Sequence, residues 1–485
     1  MRNPFRAFSQ FYKDRDVANV FRLDGAVPIG KAVPFGVQHV LSMFVANIAP
    51  ILICFALIGA SPEVTNNAIR SAIFMAAIGT TIQLFPIWRF GSRLPIVVGI
   101  SFTFLSILGL VGKTYGIGTM FVSIIIGGII IAVLGLFADK WRKFIKPIVS
   151  AIVVLGIGLS LISVGIQDFL SLSVPGVVVN DVYRFDVAWP YLLVAFITLI
   201  SGILWQIFVK GVWRNISILF GLAVGYIVSL CFIPYNNIVD FSSLSFHQVT
   251  DFIDVPRPFF TLIDVSWENF KIGAILTVLL IYVVATTEGI GDISSLTASG
   301  LNREPTGREI AGGIAADGLT SALAGFFGTM PLTTFSQNVG IVGQTKVVNR
   351  FVIFQGALLL FIASFFPPVA SVLMTIPKAV LGGTMLMLFA SIVVIGMQMA
   401  SKLGFSRKNI MILSLSIGLG YGLTLVPSFF ANTFDVDFLN FVFLVLQNPV
   451  ANMFLIALIL SYAIPERINK DPSNKEEESE RKGDV

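Results

Sequence analysis

The sequence predicts an all-α polytopic membrane protein with fourteen transmembrane segments, and three observations carry that prediction. The 485 residues are 55% hydrophobic and only 12% charged, about half the charge of a soluble domain, with a mean hydropathy of +0.88. Apolar runs of membrane-spanning length recur along nearly the whole chain. The basic residues between these runs fall almost entirely on alternate sides.

The apolar segments lie near 37–59, 70–87, 94–111, 118–138, 145–166, 189–209, 212–233, 271–287, 308–328, 332–345, 350–374, 377–399, 409–426 and 437–464. The third and tenth are short and broken by Pro and Gly. With the N-terminus in the cytoplasm and each segment crossing once, the outside holds only Arg70, Lys113, Arg184, Arg257, Lys271 and Lys378 of the 32 Lys and Arg. Omitting one short segment would invert every later loop and spoil this separation. Both termini are therefore expected in the cytoplasm, and the net charge of +5 reflects topology, not nucleic-acid binding. The first thirty residues mix charges without the apolar core of a signal peptide. The long outside loop, from about 234 to 270, is undistinguished apart from its aspartates and His247. The tail "NKDPSNKEEESERKGDV" reads as disordered and solvated.

Segments three, "LPIVVGISFTFLSILG", and ten, "MPLTTFSQNVGIVG", look like counterparts. Each opens near a proline (Pro95, Pro331), contains Gly and sets small polar residues around Phe. Paired broken segments in the two halves point to a transporter of inverted repeats, with substrate where the broken elements meet. Seven spans per half is odd, so the second half is inverted relative to the first. Read alone, "PLTTFSQNVGIVGQTK" could be a polar interfacial loop. The charge pattern instead places it at membrane depth, where irregular backbone must be buried in protein or line a cavity, and where a half-helix N-terminus offers N–H donors to a ligand.

Ionisable groups inside a bilayer are costly and mark function. Four stand out: His39 in the first segment, Glu288 and Asp292 at the end of the eighth, and Asp317 in the ninth. Glu288 and Asp292, four apart, share one helix face, an arrangement suited to proton exchange. Blander roles are open to three of them: Asp292 as a boundary residue, Asp317 as a cap on a broken segment, and His39 as an interhelical hydrogen-bonding residue. Glu288 has no basic neighbour in sequence and is flanked by Gly289 and Gly291. With two cysteines (Cys54, Cys231) and two histidines at unrelated positions, no disulfide framework, metal centre or nucleophile–base set is indicated. A channel would need repeated filter ligands, of which there is one candidate stretch. An anion exchanger of the same fold would want a basic site and often a soluble C-terminal domain.

"QNVGIVGQTK" resembles the signature of the nucleobase–ascorbate transporters (nucleobase:cation symporter-2), through Gln337, Asn338, Gly340, Thr345 and Lys346. "QH" in segment one, "EGIGD" in segment eight and "ADG" in segment nine resemble family motifs in the family's order, and the similarity spans about 30–465. The resemblance implies two inverted sets of seven segments, divided into a core and a gate domain. It gives an N-terminal arm (1–30), core segments 1–4 (31–140), gate segments 5–7 (141–235) and an extracellular loop (236–270). Core segments 8–11 (271–376), gate segments 12–14 (377–465) and the tail (466–485) follow. It also implies a homodimer in the cell membrane, among lipids, working by an elevator-like motion.

By the same resemblance, Glu288 and Gln337 hold the base, with further contacts from Ser101, Phe102 and Phe335. Asp317, Asp292, His39 and Asn338 form the polar network around Glu288, and Asn338 helps shape the broken backbone. A carboxamide offers donor and acceptor, matching the N–H/C=O edge of an oxidised purine, whereas a carboxylate only accepts. Family members with Gln at the first signature position resemble xanthine or urate carriers, and those with Glu resemble uracil carriers. Asp292, where uracil carriers tend to have His, agrees. The expectation is xanthine uptake, with urate next, by proton symport. Sodium is left open as the coupling ion, and no metal or other cofactor is expected.

Overall fold

The computed structural model describes residues 16–232, 239, 241, 252–264, 266–426, 442–443 and 445–465. The expected tail, most of the outside loop including His247, and the start of segment fourteen lie outside these residues.

The chain opens with α1 (Ile29–Leu57) and α2 (Pro62–Leu84), then strand β1 (Val98–Ile100), which leads through one tight turn of helix into α3 (Leu105–Tyr115). Next come α4 (Ile117–Gly135) and α5 (Pro147–Phe169), the hairpin β2 (Val178–Val179) and β3 (Val182–Tyr183), α6 (Phe185–Phe208) and α7 (Ser217–Leu230). The second half repeats the plan with α8 (Ile272–Leu301), α9 (Gly307–Phe326), strand β4 (Leu332–Thr334) and α10 (Ser336–Thr345). It closes with α11 (Arg350–Ala363), α12 (Pro367–Met374), α13 (Lys378–Lys402), α14 (Arg407–Leu415) and α15 (Pro449–Ala463). The two breaks are therefore strand-to-helix elements, at the third and tenth positions where they were expected.

Packing repeats between the halves. α4, the fourth segment, lies against α8 and α9, and α11, the eleventh, lies against α1 and α2. α5 packs along α13, its own counterpart. This is the architecture of two inverted sets of seven. The α4–α9 contact is nearly backbone on backbone: a Cβ on Gly318 would lie 2.3 Å from the amide of Ala132, and one on Gly135 would lie 2.5 Å from that of Ala315. Small residues allow such approach where apolar side chains gain nothing over lipid.

Among the described residues, eight helical stretches are each long and apolar enough to cross a bilayer, and α11 with α12, bent by 85°, makes a ninth. The other expected segments fall short for two reasons. α3, α10 and α15 are short. α2 and α9 are long but rich in Thr, Asn, Gly and Ala, and most of their residues are buried in protein, so neither needs a lipid-compatible surface. The eighth helix also runs further than its apolar stretch suggested, to Leu301, which puts Asp292 inside a helix and not at its end. By contrast α6 exposes Phe185, Trp189, Phe196, Ile203 and Ile207, the outward face of a peripheral span.

Residues 16–27 are fastened to the start of α11. Val348 N donates to Val20 O at 3.1 Å, and the Asn349 amide donates to Asn19 O at 2.9 Å. On the opposite face, Arg70 pairs with Asp254 at 3.1 Å and holds the described part of the 234–270 loop.

Candidate functional site

The site is built on the two breaks. β1 and β4 pair antiparallel, Val98 with Thr334, Gly99 with Thr333 and Ile100 with Leu332. The ladder is extended symmetrically, Ser101 N to Pro331 O at 2.9 Å and Phe335 N to Val97 O at 3.0 Å. A two-stranded sheet enclosed among helices leaves outer backbone groups without a strand partner, and side chains from neighbouring helices take several of them. Thr80 Oγ accepts from Val98 N at 3.0 Å and Asn47 Oδ1 from Ile100 N at 2.8 Å. On β4, Ser321 Oγ accepts from Leu332 N at 2.9 Å. These polar residues on α1, α2 and α9 are the physical reason an irregular backbone survives here.

The mirrored bonds fix the correspondence between the halves. Ser101 matches Phe335 and Val97 matches Pro331. That is two residues away from the proline-to-proline alignment that Pro95 and Pro331 suggested, and it makes Thr103 the counterpart of Gln337.

Each strand ends at the start of a half-helix whose first N–H groups have no preceding carbonyl in the helix. Each half-helix also sends a hydroxyl to a carboxylate on α8. Thr103 Oγ donates to Glu288 Oε2 at 2.8 Å, and Ser336 Oγ lies 2.8 and 2.9 Å from the two oxygens of Asp292. Glu288 and Asp292, one turn apart, thus face different halves of the repeat. Asp317 on α9 accepts from the Gln83 amide at 2.8 Å, and the same amide reaches Gly313 O at 3.0 Å while Gln83 Oε1 accepts from Ser92 N at 2.9 Å. His39 Nδ1 lies 3.0 Å from Asn338 Nδ2, tying α1 to α10. His39, Asp292, Asp317 and Asn338 are buried, whereas Glu288 and Gln337 are partly open. Among the described residues the four ionisable groups make no hydrogen bonds to one another; each is met by a neutral side chain.

The Phe335 ring is placed against one glycine. A Cβ on Gly99 would fall 2.0 Å from Cε2 of Phe335, so that ring lies directly on the β1 backbone. Phe102 meets Phe389 of α13 edge to face, with centroids 5.3 Å apart, and the Ser101 hydroxyl is buried beside it without a hydrogen-bond partner.

A cavity of about 480 Å³ lies between α8 and α10 on one side and α13 and the α6–α7 connection on the other, lined by Asp292, Ser336, Gln337, Gly340, Met387 and Arg214 among others. A second, of about 590 Å³, opens near the other end of α13, at Leu52, Thr65, Asp168, Lys378 and Leu381. Phe102 and Phe389 line neither. Of the sequence-derived residues, Gln337 and Asp292 meet at the first cavity, while Glu288, Ser101, Phe102 and Phe335 sit behind it at the strand pair. Sequence reasoning missed Thr103, Gln83, Ser336, Asn47, Thr80 and Ser321. Thr103 was legible in principle, as a polar residue just inside a half-helix in the stretch already set against segment ten.

The Permease family model matches residues 30–429. The xanthine permease XanQ of Escherichia coli is 32% identical over 92% of this chain and 94% of its own length. The uric acid permease PucK of Bacillus subtilis is 32% identical over 82% and 88%. Among solved structures, the transmembrane domain of the cyanobacterial bicarbonate transporter BicA superposes with a TM-score of 0.52 at 15% identity, covering 90% of this chain and 97% of that one. The murine Slc26a9 anion transporter, inward-facing, gives 0.55 at 14% over 94% and 72%. These two likenesses concern the fold alone. By its matched length, its motifs and its relatives, the chain belongs to the Permease family of xanthine and uric acid permeases, within the nucleobase–ascorbate transporters.

Proposed function

We propose that the protein takes up a nucleobase, xanthine first and urate next, by proton symport with elevator-type alternating access. The observation that carries this reading is the placement of Gln337 in the first turn of α10, beside Ser336 and Asp292 on an open cavity. Relatives named xanthine and uric acid permeases support the substrate class. The bicarbonate and anion transporters share only the fold, and a site holding Glu288, Asp292 and Asp317 is poorly suited to a small inorganic anion.

In this reading Thr103 occupies one oxygen of Glu288 and leaves the other to accept an N–H of the base. Gln337 offers an acceptor and a donor to the N–H/C=O edge of an oxidised purine. Phe102 and Phe335 flank the base through their rings. Proton binding neutralises the Glu288 region and lowers the cost of carrying it past lipid. Asp292, Asp317, His39 and Asn338 transmit that change through their hydroxyl and amide partners. The two cavities at opposite ends of α13 suit alternating access, with residues 31–140 and 271–376 moving as a core against 141–235 and 377–465. A homodimer in the cell membrane, with both termini cytoplasmic, fits the apolar outer face of α6 and the charge distribution.

The test is uptake of labelled xanthine into proteoliposomes, with an imposed proton gradient or sodium gradient. Xanthine accumulation driven by the proton gradient alone supports the proposal. Accumulation that requires sodium, or a preference for uracil over xanthine, contradicts it.

A further inference from the structure

A third cleft, of about 440 Å³, opens away from the transport site, on the face that carries the basic loops. It is lined by Trp88, Arg89, Leu136, Asp139, Gly307 and Arg308, among others. Its floor is rigid. Gly91 N donates to Gly312 O at 2.8 Å, and a Cβ on Gly312 would fall 2.1 Å from Gly91 O, so the turn after α2 rests directly on the first turns of α9. Arg89, Arg308 and Asp139 are all exposed, and none of them is in an ion pair among the described residues. Two cations and one anion share a small cleft without neutralising one another.

The rim is amphipathic. Trp88 is 69% exposed and held at φ 55, in the left-handed region that a bulky residue seldom adopts. Phe137 and Phe144 are exposed beside Lys140 and Lys143, whose ammonium groups lie 5.7 and 5.5 Å from the ring centroids. Aromatic rings beside cations, on the basic side of a membrane protein, mark headgroup level.

We propose that this cleft binds the headgroup of a glycerophospholipid bearing a phosphate and a primary ammonium, of the phosphatidylethanolamine type. Arg89 and Arg308 hold the phosphate, as guanidinium groups do with two donors each, and Asp139 holds the ammonium. Trp88 and Phe137 lie along the glycerol and upper acyl chains. The occupant braces the turn from Ile87 to Arg93. That turn supplies Ser92 N to Gln83, and Gln83 in turn holds Asp317. The lipid therefore steadies a carboxylate of the transport site without touching substrate.

The experiment is native mass spectrometry of the purified full-length protein in mixed micelles, with phosphatidylethanolamine, phosphatidylcholine or phosphatidylglycerol added in turn. The wild type retains phosphatidylethanolamine in preference to the other two. Arginines near a headgroup are each worth roughly fivefold, so R89Q/R308Q lowers that affinity by a factor on the order of 30. D139N leaves the fold intact, because its carboxylate is exposed and unpaired, and shifts the preference to phosphatidylglycerol. Equal retention of the three lipids by the wild type, or unchanged retention by R89Q/R308Q, overturns the proposal. Displacement of the lipid by millimolar inorganic phosphate to full depletion overturns it too, since the cleft would then be a soluble-phosphate site.

Discussion

Ser336 Oγ lies 2.8 and 2.9 Å from the two carboxylate oxygens of Asp292. The residue next to Gln337 is thereby tied to the helix that carries Glu288. Thr103 makes a bond of the same kind to Glu288 from the other half of the chain. One helix, α8, is thus gripped by both half-helices, and a shift of either break reaches the carboxylates directly.

Ser336→Ala removes this bond. A hydrogen bond to a charged group contributes about 1.5–3 kcal/mol, so xanthine uptake efficiency should fall roughly tenfold or more. Ser336→Thr should retain most of it. Uptake by Ser336→Ala equal to wild type would show that the bond does not position the site.

Gly99→Ala tests the close approach of strand and ring. The added Cβ would meet Phe335 at 2.0 Å, far inside van der Waals contact, so the ring must leave the strand. Xanthine binding by isothermal titration should be lost. Pairing the substitution with Phe335→Leu should return part of it. Wild-type affinity in Gly99→Ala alone would count against a role for the Phe335 ring.

The hydrogen bonds of Gln83 make it a determinant of stability as well as of Asp317. Gln83→Leu removes a donor from the Asp317 carboxylate and strands Ser92 N in the interior, and an unsatisfied buried group costs about 1–3 kcal/mol. The melting temperature in detergent should drop by several degrees or more, and uptake should be abolished. Gln83→Glu, which can share a proton with Asp317, should melt closer to wild type. Equal melting temperatures for wild type and Gln83→Leu would contradict this assignment.

The proposed proton symport fixes the sign of a pH effect. Inward transport with a proton is driven by an acidic exterior, so initial rates should rise as external pH falls from 8 to 6 and collapse with a protonophore. Glu288→Gln, a permanently neutral side chain, should lose accumulation against a gradient. Rates indifferent to both pH and protonophore would exclude the mechanism.

The segment order and the two breaks were legible because hydrophobic run length and loop charge are local, additive signals. The four ionisable groups in the spans were legible for the same reason, as exceptions to an apolar background. What escaped was relational. Thr80, Asn47 and Ser321 look like ordinary small polar residues until β1 and β4 are paired, because their purpose is to satisfy strand edges contributed by other segments. Thr103 was hidden by alignment. The prolines suggested one register between the halves, and the backbone ladder adopts another, two residues away. Nor could the apolar stretch of segment eight show that α8 continues past Asp292 to Leu301, since that last part packs against α10 and lines the cavity with Ser295 and Ser299, and so can be polar.

The central claim is that Gln337 reads the base. Its most direct test is labelled xanthine uptake in Gln337→Glu, with uracil, urate, hypoxanthine and adenine as competitors. Discrimination by a single unmatched polar group can reach orders of magnitude. Xanthine uptake should fall at least about tenfold, and uracil should become the stronger competitor. Unchanged competition, with xanthine still preferred, would contradict it.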